Sequence, residues 1–125
     1  VISQHAAMGA LQAGRAYCRA KQAVLHEVRP TVLQALDGIR DLCQVQRPDG
    51  AFYCFLKIDT QLSGLALAER LIREFGVAVI PGETFGATQG CYLRISYGPL
   101  DKDTTALGLE RLVRGLEAIV QSSAP

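Results

Sequence analysis

Val77-Ala78-Val79-Ile80-Pro81-Gly82-Glu83-Thr84-Phe85-Gly86, followed after Ala87-Thr88-Gln89-Gly90 by Cys91-Tyr92-Leu93-Arg94-Ile95-Ser96-Tyr97-Gly98, decides how this chain folds. The first four residues are apolar and β-branched or small, and they predict a short buried strand. Pro81-Gly82 predicts a turn, and the glycines that follow predict a loop as far as Gly90. Cys91 to Tyr97 then alternates, placing Leu93 and Ile95 on one face of a second strand and Tyr92, Arg94 and Ser96 on the other. An arginine fixed on a rigid strand beside a glycine-containing loop suits bidentate recognition of a carboxylate or phosphate. The same position also suits a structurally paired or solvated arginine, and the strand pattern alone leaves both readings open.

Composition bounds the remaining possibilities. The chain has 125 residues, 49% of them hydrophobic and 20% charged, enough to bury one core and no more than about one domain. Thirteen basic residues balance twelve acidic ones for a net charge of +1, so no field gathers nucleic acid or an anionic membrane. Tryptophan is absent and the eight aromatics suggest no base-stacking platform. No nucleic-acid or membrane partner is expected. Cys18, Cys43, Cys54 and Cys91 form no Cys-x-x-Cys pair and have no histidine at ligand spacing, so buried reduced thiols are expected and no metal site. With no signal peptide in view, a cytoplasmic location is expected.

Working outward, Ile2 to Ala13 is alanine-rich and predicts a tightly packed helix ended by Gly14. Tyr17, Val24, Leu25, Val28, Val32, Leu33 and Leu36 predict a long amphipathic helix from Arg15 to Leu36, with a kink or restart at Arg29-Pro30. A short strand is expected at Cys43 to Val45, and Arg47-Pro48-Asp49-Gly50 is a turn sequence. In the strand Ala51 to Ile58, both the Phe52, Cys54, Leu56, Ile58 set and the Tyr53, Phe55, Lys57 set are largely apolar, which predicts cover on both faces. A helix capped at Gln61 or Ser63 carries Leu65, Ala68, Leu71, Ile72 and Phe75 and stops at Gly76. A last helix, capped at Asp101 or Asp103, carries Leu109, Leu112, Val113, Leu116, Ile119 and Val120, and the tail 121–125 is expected to fray. The order predicts an α/β fold of α+β character, with helices packed on one face of a small mixed or antiparallel sheet.

Other chemistry finds little support. Gly82-Glu83-Thr84-Phe85-Gly86 runs into a strand and lacks the phosphate-loop and dinucleotide patterns, which open a helix. His5 and His26 stand alone on helices, and of Lys21, Lys57 and Lys102 only Lys57 falls on a strand, where it reads as a rim charge. The residues therefore hold one candidate anion-binding arginine and no complete catalytic constellation.

The order of motifs nevertheless resembles the C-terminal part of class I/II aminotransferases, the fold-type I enzymes that use pyridoxal 5′-phosphate. Ser3-Gln4-His5-Ala6-Ala7 with Ala10-Leu11, Arg29-Pro30-x-Val32-Leu33, and Pro48-x-Gly50-Ala51-Phe52-Tyr53-x-Phe55 follow the family's order. Val77 to Gly86 and Leu93-Arg94-Ile95-Ser96-Tyr97 are the most specific pieces. The resemblance implies that residues 1–40 are helices ending a large domain and connecting it, that 41–125 are the C-terminal small domain, and that the full-length enzyme is a homodimer. It implies that Arg94 grips the α-carboxylate of an amino acid or 2-oxo acid substrate and that Phe85 lines the entrance. The family's cofactor lysine and phosphate-binding residues have no counterpart here, so the chain reads as a fragment that does not transaminate alone. A stand-alone carboxylate-binding or dimerisation module is the alternative.

Treating the chain with pyridoxal phosphate and then borohydride is expected to leave no lysine stoichiometrically labelled. Peptide mapping checks this, and a single-site adduct on Lys57 would contradict it.

Overall fold

Local chemistry sets the element boundaries in the computed structural model, which describes residues 1–98 and 100–122. Helix α1 is Ile2–Asp37, and its one non-helical residue is Gly14, at φ 66° and ψ −164°, a conformation only glycine adopts without strain. The alanine-rich helix thus ends where expected. No restart occurs at Pro30, because the dihedrals stay helical through it. Proline removes one backbone donor there, yet Val28, Val32 and Leu36 on the flanking turns are fully buried and hold the helix against the core.

Strands β1 (Cys43–Val45) and β2 (Tyr53–Ile58) pair antiparallel, with Cys43 opposite Ile58. Helix α2, Gly64–Phe75, is N-capped by Ser63, whose hydroxyl accepts from the Ala66 N–H at 3.1 Å. Gly76 closes it in the left-handed conformation, and the Val77 N–H turns back to the Leu71 carbonyl at 3.2 Å. With the Val77 amide committed to α2, the strand expected over 77–80 is found only at β3, Ile80–Pro81. One turn of 3-10 helix, Gly82–Phe85, follows inside the expected loop. Strand β4 is Cys91–Ser96. Helix α3, Lys102–Gln121, is capped by Asp101, whose carboxylate accepts from the Thr104 N–H at 2.8 Å and is held below the usual carboxylate range by that bond. The fraying expected from residue 121 does not begin there, since α3 runs through Gln121 and the Ser122 N–H donates to the Ala118 carbonyl at 3.3 Å; residues 123–125 lie outside the described residues.

The sheet order is β1-β2-β4-β3 and every neighbour is antiparallel, which settles the choice between a mixed and an antiparallel sheet. Cys54, Leu56, Ile58, Leu93 and Ile95 point into one core with Leu36, Leu67, Leu71, Leu116 and Ile119 of the three helices. Each fully buried leucine or isoleucine contributes about 1.5–3 kcal/mol over an exposed one. Helices α2 and α3 approach closely at Gly115, where an added Cβ would lie 2.6 Å from Leu71 Cδ2.

Several expectations fail for one reason: burial depends on what faces a residue. The second face of β2 is not covered, since Tyr53 and Lys57 are exposed and Phe55 is half-buried. Helix α2 turns Gly64, Leu67, Ala68 and Leu71 inward, which leaves Leu65 and Ile72 exposed one residue off the inner stripe. The alanine-rich first helix is exposed throughout, as are Tyr17, Val24 and Cys18, because no described element packs on them. Among the described residues no helix is long and apolar enough to cross a membrane.

Burial pushes the Cys43 and Cys91 thiols up to about 11, with Asp41 and Glu83 adding to the respective shifts. A thiol whose folded pKa is raised contributes stability that is complete below its unfolded pKa of about 8.5 and is lost as pH rises towards the folded value. The melting temperature is therefore expected to fall between pH 9 and 11, with a shallower fall after Cys43→Ala and Cys91→Ala. At pH 8 an aromatic disulfide reagent is expected to consume Cys18 rapidly and the three buried thiols only as the chain unfolds.

Candidate carboxylate-binding site

Arg94 lies on β4 between two neighbours, opposite Phe55 of β2 and Ile80 of β3. Alternation sends Leu93 and Ile95 into the core and Arg94 to the face that carries no helix. Its guanidinium carbon sits 4.3 Å from the ring centroid of Phe85 and 5.3 Å from that of Tyr53. Phe85 is thus brought onto Arg94, and the residue remains 47% exposed. Phe55 meets the Phe85 ring edge-on at 6.3 Å and stacks on Tyr92 at 5.4 Å.

The loop reaches Arg94 because its glycines permit it. Gly82 lies so close to the sheet that an added Cβ would collide with Tyr92 Cβ and sit 3.3 Å from Phe55 Cζ. Gly86, at φ 85°, then reverses the chain, its N–H donating to the Glu83 carbonyl at 3.1 Å while the Ala87 N–H donates to the Gly82 carbonyl at 3.1 Å. Between them the single turn leaves Phe85 over the guanidinium.

Arg94 has no carboxylate partner among the described residues, where the ion pairs join Asp37 with Arg40 and Arg47, Glu74 with Arg70, and Glu69 with Arg73. Its Nε is buried and makes no hydrogen bond. Glu83, in the same loop, turns away: its Oε2 is buried beside Gly64 at the start of α2, only 2.5 Å from where a Cβ on that glycine would stand. The structurally paired reading of Arg94 therefore finds no partner. Two aromatic faces hold the cation by about 0.5–2 kcal/mol each without neutralising it, so its donors remain available to an anion.

Lys21, Lys57 and Lys102 are all exposed, and Lys57 pairs in register with Tyr92 beyond the arginine cluster. An exposed lysine lacks the desolvation that makes its amine a nucleophile near neutral pH. Among the described residues no group of three or more His, Cys, Asp or Glu side chains is placed to hold a metal ion.

Sequence reasoning passed over Tyr53 as a site residue. Its signal was the alternation that puts Tyr53 and Phe55 on one face of β2; what was missing was the register that brings that face beside Arg94.

Known proteins show the same arrangement of elements. The family described as Aminotransferase class I and II matches residues 2–112. A probable aspartate aminotransferase of Methanocaldococcus jannaschii is 33% identical over 102 residues, a match covering 81% of this chain and 27% of the relative. The crystal structure of aspartate aminotransferase from Thermotoga maritima superposes with a TM-score of 0.76 at 26% identity, covering 94% of this chain and 28% of that one. The alpha-aminoadipate aminotransferase of Thermus thermophilus, crystallised with N-(5'-phosphopyridoxyl)-L-leucine, superposes with a TM-score of 0.71 at 31% identity, covering 80% of this chain and 26% of that one. The chain spans about a quarter of the length of the relatives it matches.

Gly82→Ala is expected to destabilise the chain by about 1–3 kcal/mol, because the new methyl group must push the turn off Tyr92. Denaturant unfolding measures the loss. Removal of the Phe85 ring current from the Arg94 Hε resonance reports the displaced loop.

Proposed function

This chain belongs to the class I and II aminotransferase family, and from that premise we propose that it is the C-terminal segment of a pyridoxal-phosphate-dependent aminotransferase in which Arg94 binds the substrate α-carboxylate. The observation that carries the proposal is the guanidinium of Arg94, held between Phe85 and Tyr53 on an open sheet face with no carboxylate partner among the described residues. A planar fork of that kind matches the two oxygens of a carboxylate, and every amino acid and 2-oxo acid substrate offers one.

The parent enzyme moves an amino group between an amino acid and a 2-oxo acid. Pyridoxal 5′-phosphate supplies the electron sink when bound, and its lysine and phosphate contacts belong to other parts of that enzyme, since no lysine of this chain suits them. Residues 1–40 form the end of a larger domain and the connection from it; residues 41–125 form the small domain that closes over substrate. Closure would bring the carboxylate held by Arg94 to the reacting centre and exclude water. Phe85 lines the way in. A cytoplasmic homodimer is the proposed state of the parent.

In the aminotransferase assembled with this segment, Arg94→Ala is expected to lower kcat/KM by roughly 100-fold for monocarboxylic and dicarboxylic amino acids alike, a loss of about 2.7 kcal/mol of transition-state binding. Arg94→Lys, which keeps the charge and loses the fork, should fall between the two. Steady-state kinetics on both variants decide the matter, and an unchanged kcat/KM in Arg94→Ala would remove Arg94 from substrate binding.

A further inference from the structure

Arg94 is half-buried on a face with no helix over it, and an arginine in that setting has several rotatable bonds to fix before it can present both terminal nitrogens to one ligand. Its Nε is buried and makes no hydrogen bond to a described residue. The rings on either side therefore hold it. One of them, Phe85, is carried by a single 3-10 turn and is 47% exposed; the other, Tyr53, is 41% exposed and is carried by β2, where it pairs with Ser96 of β4. Phe55 and Tyr92, although close, stack on one another, and no contact of theirs with the guanidinium compares with those of Tyr53 and Phe85.

Tyr53 is itself braced. The Phe52 ring meets it edge-on, with centroids 5.8 Å apart and planes at 85°. Phe52 in turn rests against Gly98, where an added Cβ would lie 2.5 Å from Phe52 Cδ2 and 2.7 Å from Cγ. The backbone fixes the same corner, since the Tyr97 N–H donates to the Phe52 carbonyl at 2.9 Å. A continuous line of contact thus runs from Gly98 through Phe52 and Tyr53 to Arg94.

We infer that Tyr53 is the positioning residue of the carboxylate grip: its ring, braced by Phe52 on Gly98, orients the Arg94 guanidinium so that both terminal nitrogens meet the ligand together. The inference rests on the reading of Arg94 as a carboxylate binder and adds to it a residue that touches the arginine and acts on the ligand through it. The ring face performs this role, so Phe is an adequate substitute for Tyr and an aliphatic side chain is not. Gly98 acts at one remove, by leaving Phe52 its place.

The test is a titration of the chain with propionate, read at constant ionic strength from the backbone amide resonance of Ile95, which every variant retains, with propionamide as the uncharged control. Propionate is expected to shift the resonance saturably and propionamide to leave it in place. Tyr53→Leu should weaken propionate about 3- to 30-fold, the range of one cation–π contact, while Tyr53→Phe stays within about twofold of the parent. Gly98→Ala supplies a second variant that leaves both partners intact, and a weakening in the same direction is expected. In the assembled aminotransferase the corresponding change is a higher KM together with a lower kcat, since a misaligned carboxylate also misplaces the reacting carbon. If Tyr53→Leu and Gly98→Ala bind propionate as the parent does while Arg94→Ala abolishes binding, Tyr53 has no positioning role and the Arg94 reading stands. If Arg94→Ala binds propionate as well as the parent, the Arg94 reading falls and the role of Tyr53 falls with it.

Discussion

The antiparallel register of β2 against β4, with Cys54 opposite Ile95, Phe55 opposite Arg94 and Leu56 opposite Leu93, is the constraint on which the rest of the molecule depends. Because side chains alternate, this one pairing assigns two faces at once. Cys54, Leu56, Ile58, Leu93 and Ile95 become the floor of the core, and Tyr53, Phe55, Tyr92 and Arg94 become a polar-aromatic surface. A slip of one residue would bury the arginine and expose the leucines, so the core that fixes the register also fixes the site.

The helices serve that pairing by covering a single face of it. Close approach is what makes the cover tight: Gly115 lets α3 settle on Leu71 and Phe75 of α2, and Gly64 admits the Glu83 carboxyl to the start of α2. The latter contact draws the only acid of the Pro81–Gly86 turn away from Arg94, which leaves the guanidinium without the partner that would otherwise neutralise it. Packing and binding chemistry are coupled here through the direction in which one carboxylate points.

What remains uncovered is as informative as the core. The face bearing Arg94 carries no helix, and the apolar residues Ile2, Met8, Leu11, Tyr17 and Val24 of α1 are exposed. The chain spans about a quarter of the length of the relatives it matches.

The sequence by itself determined the elements whose cause is local. Gly14 and Gly76 act through dihedral preference and stand where the sequence placed them, and of the alternative caps Ser63 and Asp101 are the ones used; the expected Pro81-Gly82 turn is instead the end of β3 and the start of a 3-10 turn. The motif order likewise carried the family, and alternation in β4 carried the outward direction of Arg94. Only the tertiary structure decided which apolar residues are covered. Periodicity states that a face is apolar and cannot state what lies opposite, so Leu65, Ile72 and the alanine-rich helix were expected inside and stand outside. It also decided that Pro30 keeps helical dihedrals with its neighbours, with Val28 and Val32 buried on either side of it. Tyr53 belongs to the same class: its contact with Arg94 joins residues forty-one positions apart in the sequence, and it exists only because two strands pair in one register.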